Sequence, residues 1–277
     1  MRAAAVQLNS KADIRRNLAT AEALVRAAAA DGATLVALPE RFDVRGTPED
    51  YERAAEPLEI SEAVRWAREL ARELNIDLIA GSISERRPGH DKLSNTSVHV
   101  DPQGDIKATY RKVHLFDVTV GDTDYRESDS DEPGDEIVTS QAADGTRLGL
   151  SVCYDVRFPE LYRILALQGA LVLTVPANFT RTTGAAHWEV LLRARAVENQ
   201  AFVVAPAQTG EYPPGQPAYG SSMIVDPWGV VLAQAPDEEC FVAADLDLKL
   251  QDRIRTVLPS LANRRPASYS WPEEAHV

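Results

Sequence analysis

The feature that narrows this chain most is a change of hydrophobic period that recurs along it. Residues 3–8 form a continuous apolar run, residues 13–30 an Ala-rich helix pattern closed by Gly32, and residues 34–38 a second apolar run stopped by Pro39. Ser61 then precedes a helix pattern over 62–75, with Val64, Ala67, Leu70, Ala71 and Leu74 on one face, and residues 76–82 return to strand character. Strands alternating with helices of this length build a layered α/β sheet.

The polar-apolar alternation at Thr96, Val98 and Val100, the turn Asp101-Pro102-Gln103-Gly104 and the returning alternation at Ile106, Ala108 and Tyr110 predict a β-hairpin. The same punctuation recurs at Asp226-Pro227-Trp228-Gly229, between strands over 222–225 and 230–233. Between the hairpins lies a second strand-helix set: strand 147–153, helix 159–167 closed by Gly169, strand 171–176, helix 185–200 and strand 202–205. A strand over 241–244 and a helix over 248–258 follow. The pattern predicts an α/β fold of two sheets packed face to face, helices outside, with a weak internal pseudo-symmetry. One domain would span 1–265, and 266–277 would form a tail. Two stretches lack element signals: 116–136, acidic and rich in Asp, Ser and Gly, and 209–220, with three prolines. Loops of such length in a compact enzyme usually carry function.

Charge and cysteine content remove several function classes. The 29 basic residues against 42 acidic ones leave a net charge of −13, which opposes sequence-independent nucleic-acid binding and docking on anionic membrane. Cys153 and Cys240 are too few for a disulfide framework and lack zinc-type spacing. The apolar run at the N-terminus is too short for a signal-peptide core, and no stretch is long enough to span a bilayer, so a cytoplasmic protein is expected.

Three ionisable residues stand directly after apolar strand patterns: Glu40, Lys112 and Cys153. Sites in open α/β sheets assemble at the carboxyl ends of strands, so these three would converge there. Taken singly, each has a plain structural reading: a solvated loop charge, a surface lysine, a small buried hydrophobe. The context of Cys153 is more telling. Gly149-Leu150-Ser151-Val152-Cys153-Tyr154-Asp155 places the thiol on a sharp strand-to-helix elbow, which exposes a nucleophile and aims backbone N–H groups at an oxyanion. A helix N-terminus and the Lys112 ammonium would lower the thiol pKa toward the reactive thiolate. G-x-S-x-G, H-E-x-x-H and P-loop signatures do not occur.

Leu38-Pro39-Glu40, Tyr110-Arg111-Lys112-Val113-His114-Leu115-Phe116 and Cys153-Tyr154-Asp155-Val156-Arg157-Phe158-Pro159-Glu160 resemble the three signature blocks of the nitrilase superfamily, in that family's order. The resemblance implies a four-layer α-β-β-α sandwich that pairs into dimers, and a Glu-Lys-Cys triad at Glu40, Lys112 and Cys153. The family's second glutamate falls on Glu127. Gly184-Ala185-Ala186-His187-Trp188-Glu189 and Tyr219-Gly220-Ser221-Ser222-Met223 through Asp226-Pro227-Trp228-Gly229 resemble the branch holding deaminated-glutathione amidase and ω-amidase, which hydrolyse amides of dicarboxylic 2-oxo acids. Here Ala185 replaces the proline common in that branch.

In the expected chemistry Glu40 takes the Cys153 proton as sulfur attacks an amide, and Lys112 with the backbone N–H of Tyr154 holds the oxyanion. Water, activated by Glu40 or held by Glu127, then cleaves the thioester. Arg157 is either a clamp for a substrate carboxylate or a structural partner of Glu160. Asn178, Phe179, Thr180 and Thr183 line the pocket or form a plain turn. His187 reads as a packed helix residue and Cys240 as inert core. The scheme needs no metal or organic cofactor; its partners are a small amide, water and a second copy of the chain. Competing readings are a Cys-His hydrolase using His114 or His187, which leaves Glu40 and Lys112 unexplained, a nitrilase or N-carbamoyl amidase with the same triad, and an inactive scaffold, which the retained Glu40, Lys112, Cys153 and Glu127 oppose.

Overall fold

A computed structural model describes residues 1–121 and 123–270. Its first sheet contains β1 (Arg2–Gln7), β2 (Leu35–Ala37) and β3 (Asp77–Glu85) in parallel, then the antiparallel hairpin β4 (Ser94–Val100) and β5 (Ile106–Arg111). The last strand, β14 (Cys240–Asp245), returns antiparallel to β1 at the edge. The second sheet has the same plan. An antiparallel edge strand β8 (Thr139–Gln141) precedes the parallel strands β9 (Arg147–Leu150), β10 (Val172–Thr174) and β11 (Phe202–Ala205), and the hairpin β12 (Met223–Val225) and β13 (Val231–Gln234) completes it.

The expected pseudo-symmetry therefore resides in topology, and it extends to the turns. Asp101 Oδ1 accepts from the N–H groups of Gln103 and Asp105, both at 2.9 Å, and Asp226 Oδ1 accepts from Trp228 (2.9 Å) and Val230 (2.8 Å). Each turn closes on a glycine of positive φ, Gly104 or Gly229.

Side-chain alternation separates the layers. Ala3, Ala5, Leu35 and Ala37 point between the sheets, where they join Leu148, Leu150 and Val172 in one core. Ala4, Val6, Val36 and Leu38 point outward, under Leu18, Ala21 and Val25 of α1 (Ile14–Ala30) and Val64, Ala67 and Leu70 of α3 (Glu62–Leu74). On the far side α4 (Pro159–Leu167) and α5 (Arg181–Asn199) cover the second sheet through Leu161, Tyr162, Trp188 and Leu192. Strands covered on both faces read as continuous apolar runs, the signal seen in the sequence. A polar clamp ties the two sheets: His99 on β4 contacts Ser140 Oγ on β8 at 2.7 Å and Asp77 on β3 at 3.1 Å.

The structure departs from expectation in several places. Residues 116–136 are not featureless; they hold the ribbon β6 (Asp117–Val120) and β7 (Thr123–Arg126) and a 3-10 turn at Glu127–Asp129. Its strands are short and exposed, so no apolar alternation marks them. Helix α5 starts at Arg181 and not at Ala185, because Thr180 caps it, its side chain accepting from the Thr183 N–H. The short α2 (Pro48–Ala54) and β8 carry too few apolar residues to be visible in sequence. Helix α6 (Leu248–Val257) follows β14 as expected. Of the expected tail, Pro266–Ser268 forms a 3-10 turn, and 271–277 lie outside the described residues.

One glycine fixes the approach of two strands at the future site. A Cβ on Gly81 would lie 1.9 Å from the Leu38 carbonyl oxygen and 2.3 Å from that of Pro39, so only glycine admits the segment that leads into Glu40. Gly81→Ala should therefore lower stability by about 1–3 kcal/mol, the usual penalty of overpacking, and reduce turnover as well. A thermal melt and an activity assay on the same preparation check this; a variant with unchanged melting temperature and turnover would show that the approach is not constrained.

Candidate active site

Three strand ends meet at one cavity. Glu40 follows β2, Lys112 follows β5 and Cys153 follows β9, and all three are buried. Lys112 Nζ lies 3.0 Å from Glu40 Oε1. The second Glu40 oxygen, Oε2, accepts the backbone N–H of Asn178 at 2.8 Å. Its main chain is pinned from the opposite half: Gln208 Nε2 donates to the carbonyls of Glu40 (3.0 Å) and Arg41 (3.2 Å).

Cys153 sits on a sharp elbow after β9, but the residue is buried and leads into a 3-10 turn rather than an α-helix. Cys153 has φ of +51°, a strained value for a residue with a side chain, and its N–H donates to Pro176 O at 2.8 Å. A 3-10 turn, Cys153–Arg157, follows. Asp155 locks the elbow to the lysine segment. Its Oδ2 accepts from Val152 N–H (2.8 Å) and the Tyr110 hydroxyl (2.7 Å), while Oδ1 accepts from His114 N–H (3.1 Å) and contacts its ring at 2.8 Å.

Glu127 stands against Lys112 with Nζ–O distances of 2.7 and 3.0 Å, and Oε2 also accepts the Phe116 N–H at 2.7 Å. Asn95 on β4 was not foreseen. Its Nδ2 donates to Glu40 Oε1 at 2.8 Å and to Glu127 Oε1 at 3.0 Å, bridging the two carboxylates. One ammonium and one amide thus hold two like charges side by side.

These charges set the proton affinities. Burial disfavours the Lys112 ammonium, yet the charges of Glu127, Glu40 and Cys153 outweigh it and hold its pKa well above the ordinary lysine value. Burial would raise Glu127, but Lys112 and Arg41 bring it below the usual carboxylate value. The thiol corrects a sequence expectation. Burial, the Glu40 charge and a hydrogen bond to Glu40 push Cys153 well above the ordinary cysteine value; Lys112 and the Asn178 N–H oppose this without reversing it. The resting group is a thiol beside a carboxylate, not a preformed thiolate.

The cavity, of about 370 Å³, is lined by Glu40, Lys112, Cys153 and Glu127 and also by Asn178, Phe179, Thr180 and Thr183. Arg157 and Tyr154 do not line it. The Arg157 guanidinium rests over the rings of Phe179 (5.2 Å) and Tyr154 (5.8 Å) and contacts His187 Nδ1 at 3.2 Å, so its partner is not Glu160 either. His187 is exposed rather than packed, and the His114 ring stacks on Phe158 at 3.6 Å. Neither histidine lines the cavity, which leaves the Cys-His arrangement without a base. Cys240, in β14, is half-buried rather than core. The loop segments also contribute lining: Phe116 and Tyr125 from one, Pro213, Gln216 and Pro217 from the other. Arg41, Arg45 and Tyr51, all unforeseen, complete the wall. Among the described residues no cluster of three or more His, Cys, Asp and Glu side chains is arranged to hold a metal, and no helix is long and apolar enough to cross a membrane.

A buried cysteine and a buried carboxylate lining one cavity, with a lysine on that carboxylate, set between two sheets of matching topology, are the arrangement of a hydrolase of carbon-nitrogen bonds. The family profile for carbon-nitrogen hydrolases matches residues 2–256, and the chain belongs to that family, within the nitrilase superfamily, whose members act on bonds other than peptide bonds. The chain is similar to deaminated glutathione amidase of Bos taurus, with 41% identity over 96% of this chain and 82% of that one. It is also 39% identical to omega-amidase NIT2 of Pongo abelii, over 97% and 96% of the two chains. The crystal structure of the C. elegans NitFhit protein superposes with a TM-score of 0.89 at 38% identity, covering 97% of this chain and 66% of that one.

Asn95 touches neither nucleophile nor cavity, so it is a positioning residue for the two carboxylates. Asn95→Ala should cost about 1.5–3 kcal/mol, the worth of hydrogen bonds to charged groups. That corresponds to about a ten- to hundredfold fall in kcat. Steady-state kinetics on a variant with native circular dichroism would check it; unchanged kcat would remove Asn95 from the network.

Proposed function

We propose that this chain is a cysteine amidase for amides of dicarboxylic 2-oxo acids, with deaminated glutathione preferred over 2-oxoglutaramate and both over neutral aliphatic amides. The substrate reading rests on the similarity to deaminated glutathione amidase and omega-amidase over most of the chain. The chemical reading rests on one observation: Glu40 holds Lys112 on one oxygen and the Asn178 N–H on the other in the cavity that Cys153 also lines.

Sulfur attacks the amide carbon as its proton passes to Glu40, so the thiolate forms only as it is consumed. The oxyanion is compensated by Lys112, which lines the cavity with Cys153; the Cys153 N–H is already committed to Pro176, and Tyr154, expected from sequence as the second donor, lies outside the lining. Glu40 returns the proton to nitrogen, the C–N bond breaks, the amine leaves and a thioester remains. Water then gives a proton to Glu40 and attacks the thioester; the C–S bond breaks and sulfur recovers the proton. Glu127, saturated by Lys112, Asn95 and the Phe116 N–H, keeps the lysine charged and aimed. Asn178, Phe179, Thr180 and Thr183 shape the acyl site.

The same reading includes a homodimer and a cytoplasmic setting. Support for the dimer comes from an exposed apolar patch: Val190 and Val197 on one face of α5, and Trp228 and Val230 on the neighbouring turn, which Arg193 Nε joins through the Gly229 carbonyl at 2.8 Å. Two free cysteines suit a reducing compartment.

Comparing kcat/KM for deaminated glutathione, 2-oxoglutaramate and propionamide tests the reading, together with intact-mass detection of an acyl adduct. The adduct is expected on Cys153 and lost in Cys153→Ala. Equal kcat/KM for propionamide and deaminated glutathione would sink the substrate assignment, and an adduct on Cys240 would sink the nucleophile.

A further inference from the structure

Among the described residues three buried cations line the cavity: Lys112, Arg41 and Arg45. Two have carboxylates against them. Lys112 lies between Glu40 and Glu127, and Arg41 pairs with Asp131 at 2.7 Å while its guanidinium covers the Tyr51 ring at 4.5 Å. Arg45 differs. It is 2% exposed, yet among the described residues its guanidinium meets no carboxylate; it donates to the main-chain carbonyls of Thr209 (3.0 Å), Gln216 (3.0 Å) and Gly210 (3.4 Å). Its Nε has no hydrogen-bond partner. Carbonyl dipoles solvate a guanidinium without neutralising it, and a buried charge lacking a counter-ion is costly unless something supplies one.

We propose that Arg45 is the specificity-determining residue of this cavity, supplying the positive charge against which a substrate carboxylate binds. The inference rests on the anionic-amide reading above. It gives Arg45 the task that sequence had placed on Arg157, which lies outside the lining. Burial pulls the Arg45 pKa down to about 10, so the side chain is still a cation at neutral pH. The two lysine-bound carboxylates line the same cavity as the thiol, so an anionic substrate needs a cation elsewhere in it to offset them. An acidic protein offers such a substrate no long-range attraction, which makes the local charge decisive.

The same three carbonyl contacts also allow a purely structural role, with Arg45 as a strut for the loop that carries Thr209, Gly210 and Gln216. The two roles predict different kinetics. Arg45→Met and Arg45→Lys are assayed with deaminated glutathione and with propionamide. As a carboxylate partner, Arg45→Met should raise KM for deaminated glutathione by about tenfold or more, the effect of removing a charged hydrogen-bond donor, and leave KM for propionamide unchanged. Arg45→Lys, which keeps the charge and is the safer variant for folding, should raise KM for the anionic amide less. It should leave propionamide alone. Parallel losses on both amides, or no loss on either, would overturn the inference while a wild-type preference for the anionic amide left the substrate reading standing. A wild-type enzyme without that preference would overturn both.

Discussion

The buried ion pair between Lys112 and Glu40 is the interaction on which the rest of this protein's chemistry depends. Two charges removed from water repay their desolvation only when geometry and further hydrogen bonds are good. Here the surroundings supply both: Glu127 brings a second carboxylate to the ammonium, Asn95 bridges the two acids, and the Asn178 N–H takes the remaining Glu40 oxygen. The cluster holds more negative than positive charge before the thiol is counted. A second negative charge on sulfur is therefore resisted, which on the proposed mechanism ties ionisation of Cys153 to its attack on a substrate carbonyl.

The fold explains how four distant segments reach one point. Each sheet places a parallel strand at its centre, and the residues just past β2 and β10, strands at corresponding positions in the two sheets, are Glu40 and Asn178. Their hydrogen bond crosses between the sheets. Cys153 follows β9, the neighbour of β10, while Lys112 arrives from β5, the last strand of the first hairpin. A site divided between halves in this way is held by the inter-sheet core and by clamps such as Gln208 on the Glu40 segment. Packing there sets the positions of the groups proposed to be catalytic.

How much was legible in the sequence depends on what each signal reports. Strands buried on both faces and helices of regular period were plain, and α4 and β11 fall at Pro159–Leu167 and Phe202–Ala205 as the pattern predicted. Glu40, Lys112 and Cys153 were marked by strand-end placement and by the family's motif blocks, and Glu127 by the family resemblance alone; the four line one cavity. Asn95 was hidden because a polar residue in an alternating strand looks the same whether it faces solvent or a buried carboxylate. Arg157 misled because one helical turn from the nucleophile in sequence says nothing of direction; its guanidinium turns to Phe179, Tyr154 and His187. The sign of the thiol shift was missed because the helix N-terminus and Lys112 were weighed without the burial and the Glu40 charge that oppose them.

On the proposed mechanism Glu40 keeps Cys153 protonated at rest and takes its proton during attack. The decisive measurement is the pH dependence of Cys153 alkylation by iodoacetamide, compared between the wild type and Glu40→Gln. In the wild type, burial and the Glu40 charge raise the thiol pKa, so alkylation should be slow at neutral pH and accelerate only under alkaline conditions. Glu40→Gln removes the charge that opposes the thiolate and keeps Lys112, which favours it; the alkylation profile should shift to lower pH even as amide turnover is lost. A profile that stays in place or moves to higher pH, or a variant that retains normal turnover, would contradict the assignment of Glu40 as the group that holds and accepts the proton.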